Sequence, residues 1–308
     1  MTPTHPSLTP DALRHHWSLR VLPRWARPYG RLMRLERPIG WQLLFWPCAF
    51  SSLLASLATS NGPAWAHLAL FLIGSIIMRS AGCTLNDIVD RDIDAKVART
   101  AARPIPAGEV SVLGALIFLA VLLFAGLIVL LQFNWFTIGV GASSLILVAI
   151  YPFMKRITNW PQLVLGLVFS WGALVGWAAQ LGALGWAPLA CYVACVAWIV
   201  GYDTIYAFQD LEDDALIGIG STAQIVGQSA PLFVGVCYTL TIVGLGTALA
   251  LAGSGLLGFG ALALAAGHFA WQVTSIRTDD PQLCLRLFKS NHPLAMIIAA
   301  GLLVEVLV

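Results

Sequence analysis

Four stretches of this chain carry no charged residue: residues 38–78, 110–154, 157–202 and 215–276. Each is at least about twice the ~20 residues that a helix needs to cross the hydrocarbon of a bilayer. Each is also interrupted by turn formers, at Ser60-Asn61-Gly62-Pro63, Gln132-Phe133-Asn134, residues 182–188 and Gly253-Ser254-Gly255. A long apolar run with a turn inside it reads as a helical hairpin. Four hairpins and a short terminal span from about Leu294 make nine transmembrane helices, so the expected fold is an all-α polytopic membrane protein. Only 10% of the residues are charged. An ordinary soluble domain carries roughly 25%, and a soluble enzyme is excluded.

The basic residues set an expected orientation. All 17 Lys and Arg fall before Ile39, between Arg79 and Arg103, at Lys155 and Arg156, or between Arg277 and Lys289. In a nine-span chain those loops lie on one face, which the positive-inside rule makes cytoplasmic. The opposite hairpin tips are uncharged, and Glu305 is the one charge assigned to the far side. Residues 1–38 hold seven Arg and two Trp but no apolar core of a signal peptide. They are expected to form a cytoplasmic tail with an interfacial helix near residues 17–35, ahead of a nine-helix domain over 39–308. A net charge of +2 implies no nucleic-acid partner. The partner implied instead is the lipid bilayer.

Acidic residues are scarce, and most fall into two groups. NDIVDRDID, residues 86–94, closes span 2; DLEDD, residues 210–214, closes span 6, with Asp203 two turns earlier. Asn86, Asp90 and Asp94 recur every four residues and share one helix face, as do Asp210 and Asp214. Like charges so spaced destabilise a helix unless a cation lies between them. Oxygen ligands without His or Cys favour a hard cation, Mg²⁺ before Ca²⁺, which binds phosphate through one or two carboxylates. Two such rows, 124 positions apart from Asp90 to Asp214, predict a Mg²⁺–diphosphate site on a duplicated four-helix unit. Asp203, inside an apolar stretch, is expected to be the most buried acid. Asp87, Asp92 and Glu212 can equally be decoration of a wet loop. Lys96, Arg99, Arg103 and Lys155 flank the site and suit an anionic leaving group. The bases Arg156, Arg277, Arg286 and Lys289 are explained by orientation alone.

Other chemistries find no pattern. There is no GxxxxGK loop, no HExxH and no GxSxG. Six Cys at unrelated spacings read as small buried hydrophobes. Gly172 and Gly176, four apart, predict close helix packing. A secondary transporter with paired carboxylates is the rival class, but it would place its acids at the bilayer midplane.

NDIVDRDID, ARPIPAG at residues 102–108, YPFMKR at 151–156 and YDTIYAFQDLEDD at 202–214 together resemble the UbiA superfamily of intramembrane prenyltransferases. RLMRLERPIGWQLLFWP, residues 31–47, resembles its 4-hydroxybenzoate polyprenyltransferase branch. The resemblance covers some nine-tenths of the chain, and it implies nine helices around a central cavity capped by cytoplasmic loops. It implies that Asn86, Asp90, Asp94, Asp210 and Asp214 hold Mg²⁺ and the diphosphate of a polyprenyl donor. Asp87, Lys96, Arg99 and Arg103 then lie on the diphosphate, with Tyr151 and Lys155 as a further phosphate contact. Arg34 or Arg37 is expected to meet the benzoate carboxylate, and Asp203 to orient a substrate. Another aromatic acceptor, such as a naphthoate or a haem or chlorophyll precursor, is the nearer alternative. Gly220 stands where the branch usually carries Lys or Arg, and Phe208 where a more polar residue is usual.

Overall fold

A computed structural model describes residues 21–96, 100–209, 211 and 220–308; the side chain of Lys155 lies outside the description. Among the described residues there are helices and no strands. In chain order they are α1 Arg27–Leu32, α2 Ile39–Ala58, α3 Trp65–Asp94, α4 Val112–Leu130, α5 Trp135–Ile157, α6 Pro161–Ser170, α7 Gly172–Leu181, α8 Trp186–Ala207, α9 Thr222–Val226, α10 Ala230–Leu251, α11 Leu256–Ser275, α12 Pro281–Lys289 and α13 Asn291–Leu307. Nine helical segments are long and apolar enough to cross a membrane, three of them made of consecutive pieces: Pro161–Leu181, Thr222–Leu251 and Pro281–Leu307. The chain is a multi-pass membrane protein. Helices suit this solvent because each satisfies its backbone hydrogen bonds internally.

Every expected turn separates two helices. Asn134 caps α5 by accepting the Thr137 amide at 2.9 Å, and its Nδ2 donates to the Ala178 carbonyl at the end of α7 at 2.9 Å. Gly182 ends α7 with φ +64°, a conformation glycine adopts without penalty. The last helix starts three residues earlier than the expected Leu294. Pro293 falls in its first turn, where a missing amide proton costs no helix bond.

The chain divides into two compact units. In the first, residues 21–41 and 74–129, the described part of the expected interfacial helix is the short α1. Leu32, fully buried, packs with Ile88, Ile105, Val110 and Ala115, and Tyr29 meets Phe118 edge-on. Burying that leucine contributes about 2 kcal/mol. The ARPIPAG segment folds into turns closed by Ala107 N–H to the Arg103 carbonyl at 2.9 Å and Glu109 N–H to the Pro104 carbonyl at 2.9 Å.

The second unit comprises residues 42–73 and 130–308. Here α8 and α10 pack side by side around Trp198, Tyr202 and Tyr238, all nearly inaccessible. Two buried side chains here find polar partners: Trp198 Nε1 donates to Asn291 Oδ1 at 2.8 Å, and Tyr238 O–H to Gln272 Oε1 at 2.5 Å. Gly172 and Gly176 do mark a close approach. A Cβ on Gly172 would lie 2.5 Å from Cys48 Sγ, and one on Gly176 would lie 3.1 Å from the Ser52 nitrogen, so α2 and α7 touch backbone to backbone. All six cysteines are buried and free, as small hydrophobes.

Glu305, expected from the sequence to be the one far-side charge, caps a helix remote in sequence. Its carboxylate accepts from Ser254 Oγ at 2.6 Å and the Gly258 amide at 2.9 Å, and also from the Gly255 amide. These are donors that the first turn of α11 cannot satisfy itself, and the helix dipole favours an anion there. Glu305→Ala is expected to lower stability by about 1–2 kcal/mol, read as a lower thermal midpoint in detergent.

Candidate active site

The first acidic row occupies the last turns of α3, which runs unbroken to Asp94. Asp90 and Asp94 are 2% and 5% exposed, while Asn86 is half-buried. Asp87, one position off the row, is completely buried. It is no loop decoration: Arg34 Nη2 donates to its Oδ1 at 2.6 Å, and Arg103 Nη1 reaches the same oxygen at 3.3 Å. Arg103 Nη1 also donates to Asp94 Oδ2 at 2.6 Å. Two arginines, one from the turn after α1 and one from the ARPIPAG turns, therefore clamp the acidic end of α3. Asp92, by contrast, is exposed, beside Arg91 at 3.6 Å. Such a surface pair contributes little.

Local backbone explains the placement. Arg34 takes φ +56°, uncommon for a residue with a side chain. This residue lies in the turn between α1 and α2, from which its guanidinium reaches Asp87. Burial by itself would lower the Arg34 pKa; Asp87, with Cys83, Glu36 and Asp94, overrides it and holds the value above the ordinary one. Arg34 is cationic throughout the physiological range. Thr100 Oγ1 donates to the Asp94 carbonyl at 3.0 Å and closes the end of α3. Gly108, at φ +73°, closes the ARPIPAG turns, its N–H donating to the Ile105 carbonyl at 3.0 Å.

The remaining expected residues are placed as follows. Arg37 Nε lies 3.6 Å from Glu36 Oε1, and Glu36 is itself 2% exposed. Lys96 is exposed, and Tyr151 is half-buried on α5. Asp203 is only half-buried, so the expectation that it is the most deeply buried acid is corrected in favour of Asp87. Its neighbours Tyr202, Thr204 and Ile205 take the packed face of α8. Arg99, Asp210, Glu212 and Asp214 lie outside the described residues, as does the Lys155 side chain. Phe208 is buried, in keeping with its departure from a polar residue.

One residue passed over in the sequence is Arg79. It lies seven positions before Asn86 and hence on the same stripe of α3, within the span. A Cβ on Gly40 would stand 2.5 Å from its Nε, so glycine at that position makes room for the guanidinium. The signal was available, because a charge inside a membrane span is functional by default.

The donor set fits a hard cation with a phosphate ligand. Asp87 Oδ2 and Arg103 Nε are buried with no hydrogen-bond partner among the described residues, which leaves one anionic and one cationic valence for a ligand. The described residues by themselves assemble no cluster of three or more metal-ligating side chains. Mg²⁺ needs only one or two carboxylates when a phosphate and water complete its shell. Asp90 and Asp94 are the residues of this half that would hold it.

Comparison with known proteins bears on the family and the fold. A family model described as the UbiA prenyltransferase family matches residues 44–298. The chain is 48% identical over 281 residues to an Aedes aegypti protein named 4-hydroxybenzoate polyprenyltransferase, mitochondrial; the match covers 91% of this chain and 64% of the relative, a little under two thirds of its length. The apo structure of a UbiA homologue from Aeropyrum pernix K1 superposes with a TM-score of 0.70 at 24% identity, covering 85% of this chain and 97% of that one. A UbiA homologue from Archaeoglobus fulgidus, bound to GPP and Mg²⁺, gives a TM-score of 0.63 at 17% identity, covering 91% and 100%. These two likenesses establish the fold. The matched family model and the identity to the mosquito protein go further: this chain belongs to the UbiA prenyltransferase family.

Proposed function

We propose that the protein transfers a polyprenyl group from polyprenyl diphosphate to the 3-position of 4-hydroxybenzoate, a step of ubiquinone biosynthesis. The observation that carries this reading is the buried Asp87–Asp90–Asp94 end of α3 with Arg34 and Arg103 clamped onto it. The name of the mosquito relative supports the choice of acceptor. Acids gathered at a helix end, with arginines around them, suit an anionic leaving group better than an ion path across the midplane.

In this mechanism the allylic C–O bond breaks and its electron pair leaves with the diphosphate. The ring carbon ortho to the phenol oxygen supplies the pair for the new C–C bond, and loss of the ring proton restores aromaticity. Mg²⁺, when bound, neutralises charge on the diphosphate as a Lewis acid. Asp90, Asp94, Asp210 and Asp214, with Asn86, are assigned to hold it. Arg103, Arg99, Lys96, Tyr151 and Lys155 are assigned to the leaving group. Arg34 or Arg37 is assigned to the benzoate carboxylate, and Asp203 to substrate orientation. Asp87 holds Arg34 and Arg103 in place. An apolar enclosure keeps water from the allylic cation.

We place the protein in a cell inner membrane with its N-terminus cytoplasmic. The support is the gathering of all 17 Lys and Arg on one face; the mosquito relative's own name assigns that protein to the mitochondrion. Residues 1–38 are the cytoplasmic tail and 39–308 the catalytic domain. The test uses membranes containing the protein, labelled 4-hydroxybenzoate and a polyprenyl diphosphate, with Mg²⁺ or with EDTA. A lipid-soluble labelled product seen only with Mg²⁺ is expected. No product at any chain length, with product from another aromatic acceptor, would replace the acceptor and keep the chemistry.

A further inference from the structure

Residues 21–38 hold five arginines and one acid, Glu36, which is buried. Three of the arginines turn to carboxylates: Arg31 pairs with Glu109, Arg34 with Asp87 and Arg37 with Glu36. Arg24 and Arg27 do not. Both are exposed, and no acid among the described residues pairs with either. Beside them stand two exposed apolar side chains, Val21 at 72% and Trp25 at 76%. Orientation of the chain needs only the charges. It gives no reason for an exposed indole between two outward arginines.

The backbone that carries these side chains is fixed. The Ala26 and Arg27 amides donate to the Pro23 carbonyl at 2.9 and 3.2 Å, and Arg27 Nε donates to the Leu22 carbonyl at 3.1 Å. Leu22 closes the turn onto α1, since a Cβ on Gly30 would lie 2.7 Å from its Cδ1. What α1 touches sets the height of the turn in the bilayer. Arg31 meets Glu109, three positions before the membrane-crossing α4 begins at Val112. Tyr29 meets Phe118 edge-on at 5.0 Å, six positions into α4 and so about 9 Å along its axis. α1 therefore lies across the first turns of α4, at the edge of the hydrocarbon. The outer face of α4 is apolar from its first turn, with Leu113, Ile117 and Val121 more than half exposed at four-residue spacing. That face meets lipid, and α1 joins the 21–27 turn to it.

We infer that residues 21–27 are a docking surface for the phosphate headgroups of anionic phospholipids. Trp25 and Val21 enter the interface, the level at which an indole is most favourably placed. Arg24 and Arg27 meet the phosphodiester oxygens, each adding an attraction that depends on the charge of the leaflet. A zwitterionic headgroup carries no net charge for them to meet. The apolar pair and the basic pair together supply the two signals that a stable surface contact requires.

The test follows the full chain in phospholipid nanodiscs, with a bimane fluorophore on Val21→Cys as the probe of polarity. The six native cysteines are buried, so the label goes to residue 21. Emission is expected to shift to the blue when phosphatidylglycerol replaces part of the phosphatidylcholine, and to return in high salt. Adding Arg24→Gln with Arg27→Gln is expected to raise the phosphatidylglycerol content needed for half the shift by about tenfold. Arg24→Lys with Arg27→Lys keeps both charges and is expected to keep the shift. Emission that ignores phosphatidylglycerol overturns the proposal and leaves this face to a protein partner. A full shift in the glutamine pair overturns it as well, as does a lysine pair that fails as the glutamine pair does. Should the glutamine pair fail to fold, the salt dependence of the labelled parent decides alone. No readout uses prenyl transfer, so the result is independent of the function proposed above.

Discussion

Asp90→Ala is expected to abolish prenyl transfer, by about a thousandfold or more, in a protein that still folds in detergent. Asp90 lies at the centre of the row, 2% exposed and one helical turn from both Asn86 and Asp94. Its carboxylate is one of the two in this half assigned to the cation, and truncation removes negative charge beside a site where Arg34 and Arg103 are already paired with Asp87 and Asp94. The ion pairs that join Arg34 to Asp87 and Arg103 to Asp87 and Asp94 remain in the variant and support its folding. The measurement is labelled-product formation at saturating Mg²⁺, with size-exclusion behaviour as the folding control. Full turnover in a well-folded variant would remove the metal assignment from α3.

Asp87→Ala is expected to fail differently, by loss of the folded protein. Its carboxylate is completely buried and is the common partner of Arg34, whose side chain is 12% exposed, and Arg103, at 21%. Removing it leaves a guanidinium in a desolvated place without its counter-charge, a change that costs about 3–5 kcal/mol. Arg103 retains Asp94, but Arg34 loses its ion pair at 2.6 Å, the one short pair it makes among the described residues. Arg34→Met combined with Asp87→Leu should recover part of that loss, since removing both charges leaves neither unpaired. Thermal unfolding of the two single variants and the double variant closes the cycle. A double variant less stable than Asp87→Ala would show that the pair is not the source of the effect.

The two aspartates stand three positions apart in one motif, yet their expected failures differ. Spacing shows which residues share a face of a helix; it does not show what the opposite chain brings to that face. The i, i+4 pattern made Asp90 and Asp94 candidates from the sequence and left Asp87 undecided between ligand and loop decoration. Its role emerges from Arg34 and Arg103, 53 and 16 positions away. Asp203 shows the converse. An apolar stretch around it suggested deep burial, but the packed face of α8 belongs to Tyr202, Thr204 and Ile205.

What the sequence by itself determined is whatever repeats locally: the nine apolar segments and the turns between them, the buried cysteines, the glycine pair at 172 and 176, and the row at the end of α3. These follow from transfer of side chains into hydrocarbon and from the 3.6-residue helical repeat, both readable within one segment. Tertiary structure decided the rest: the clamp on Asp87, the Glu305 cap on α11, and the room for Arg79 beside Gly40. Each joins groups tens of positions apart, set by how helices pack and where a backbone turns back. A hydrogen bond or a lost Cβ across such a distance leaves no period in the chain, because its partner is selected by geometry and not by spacing.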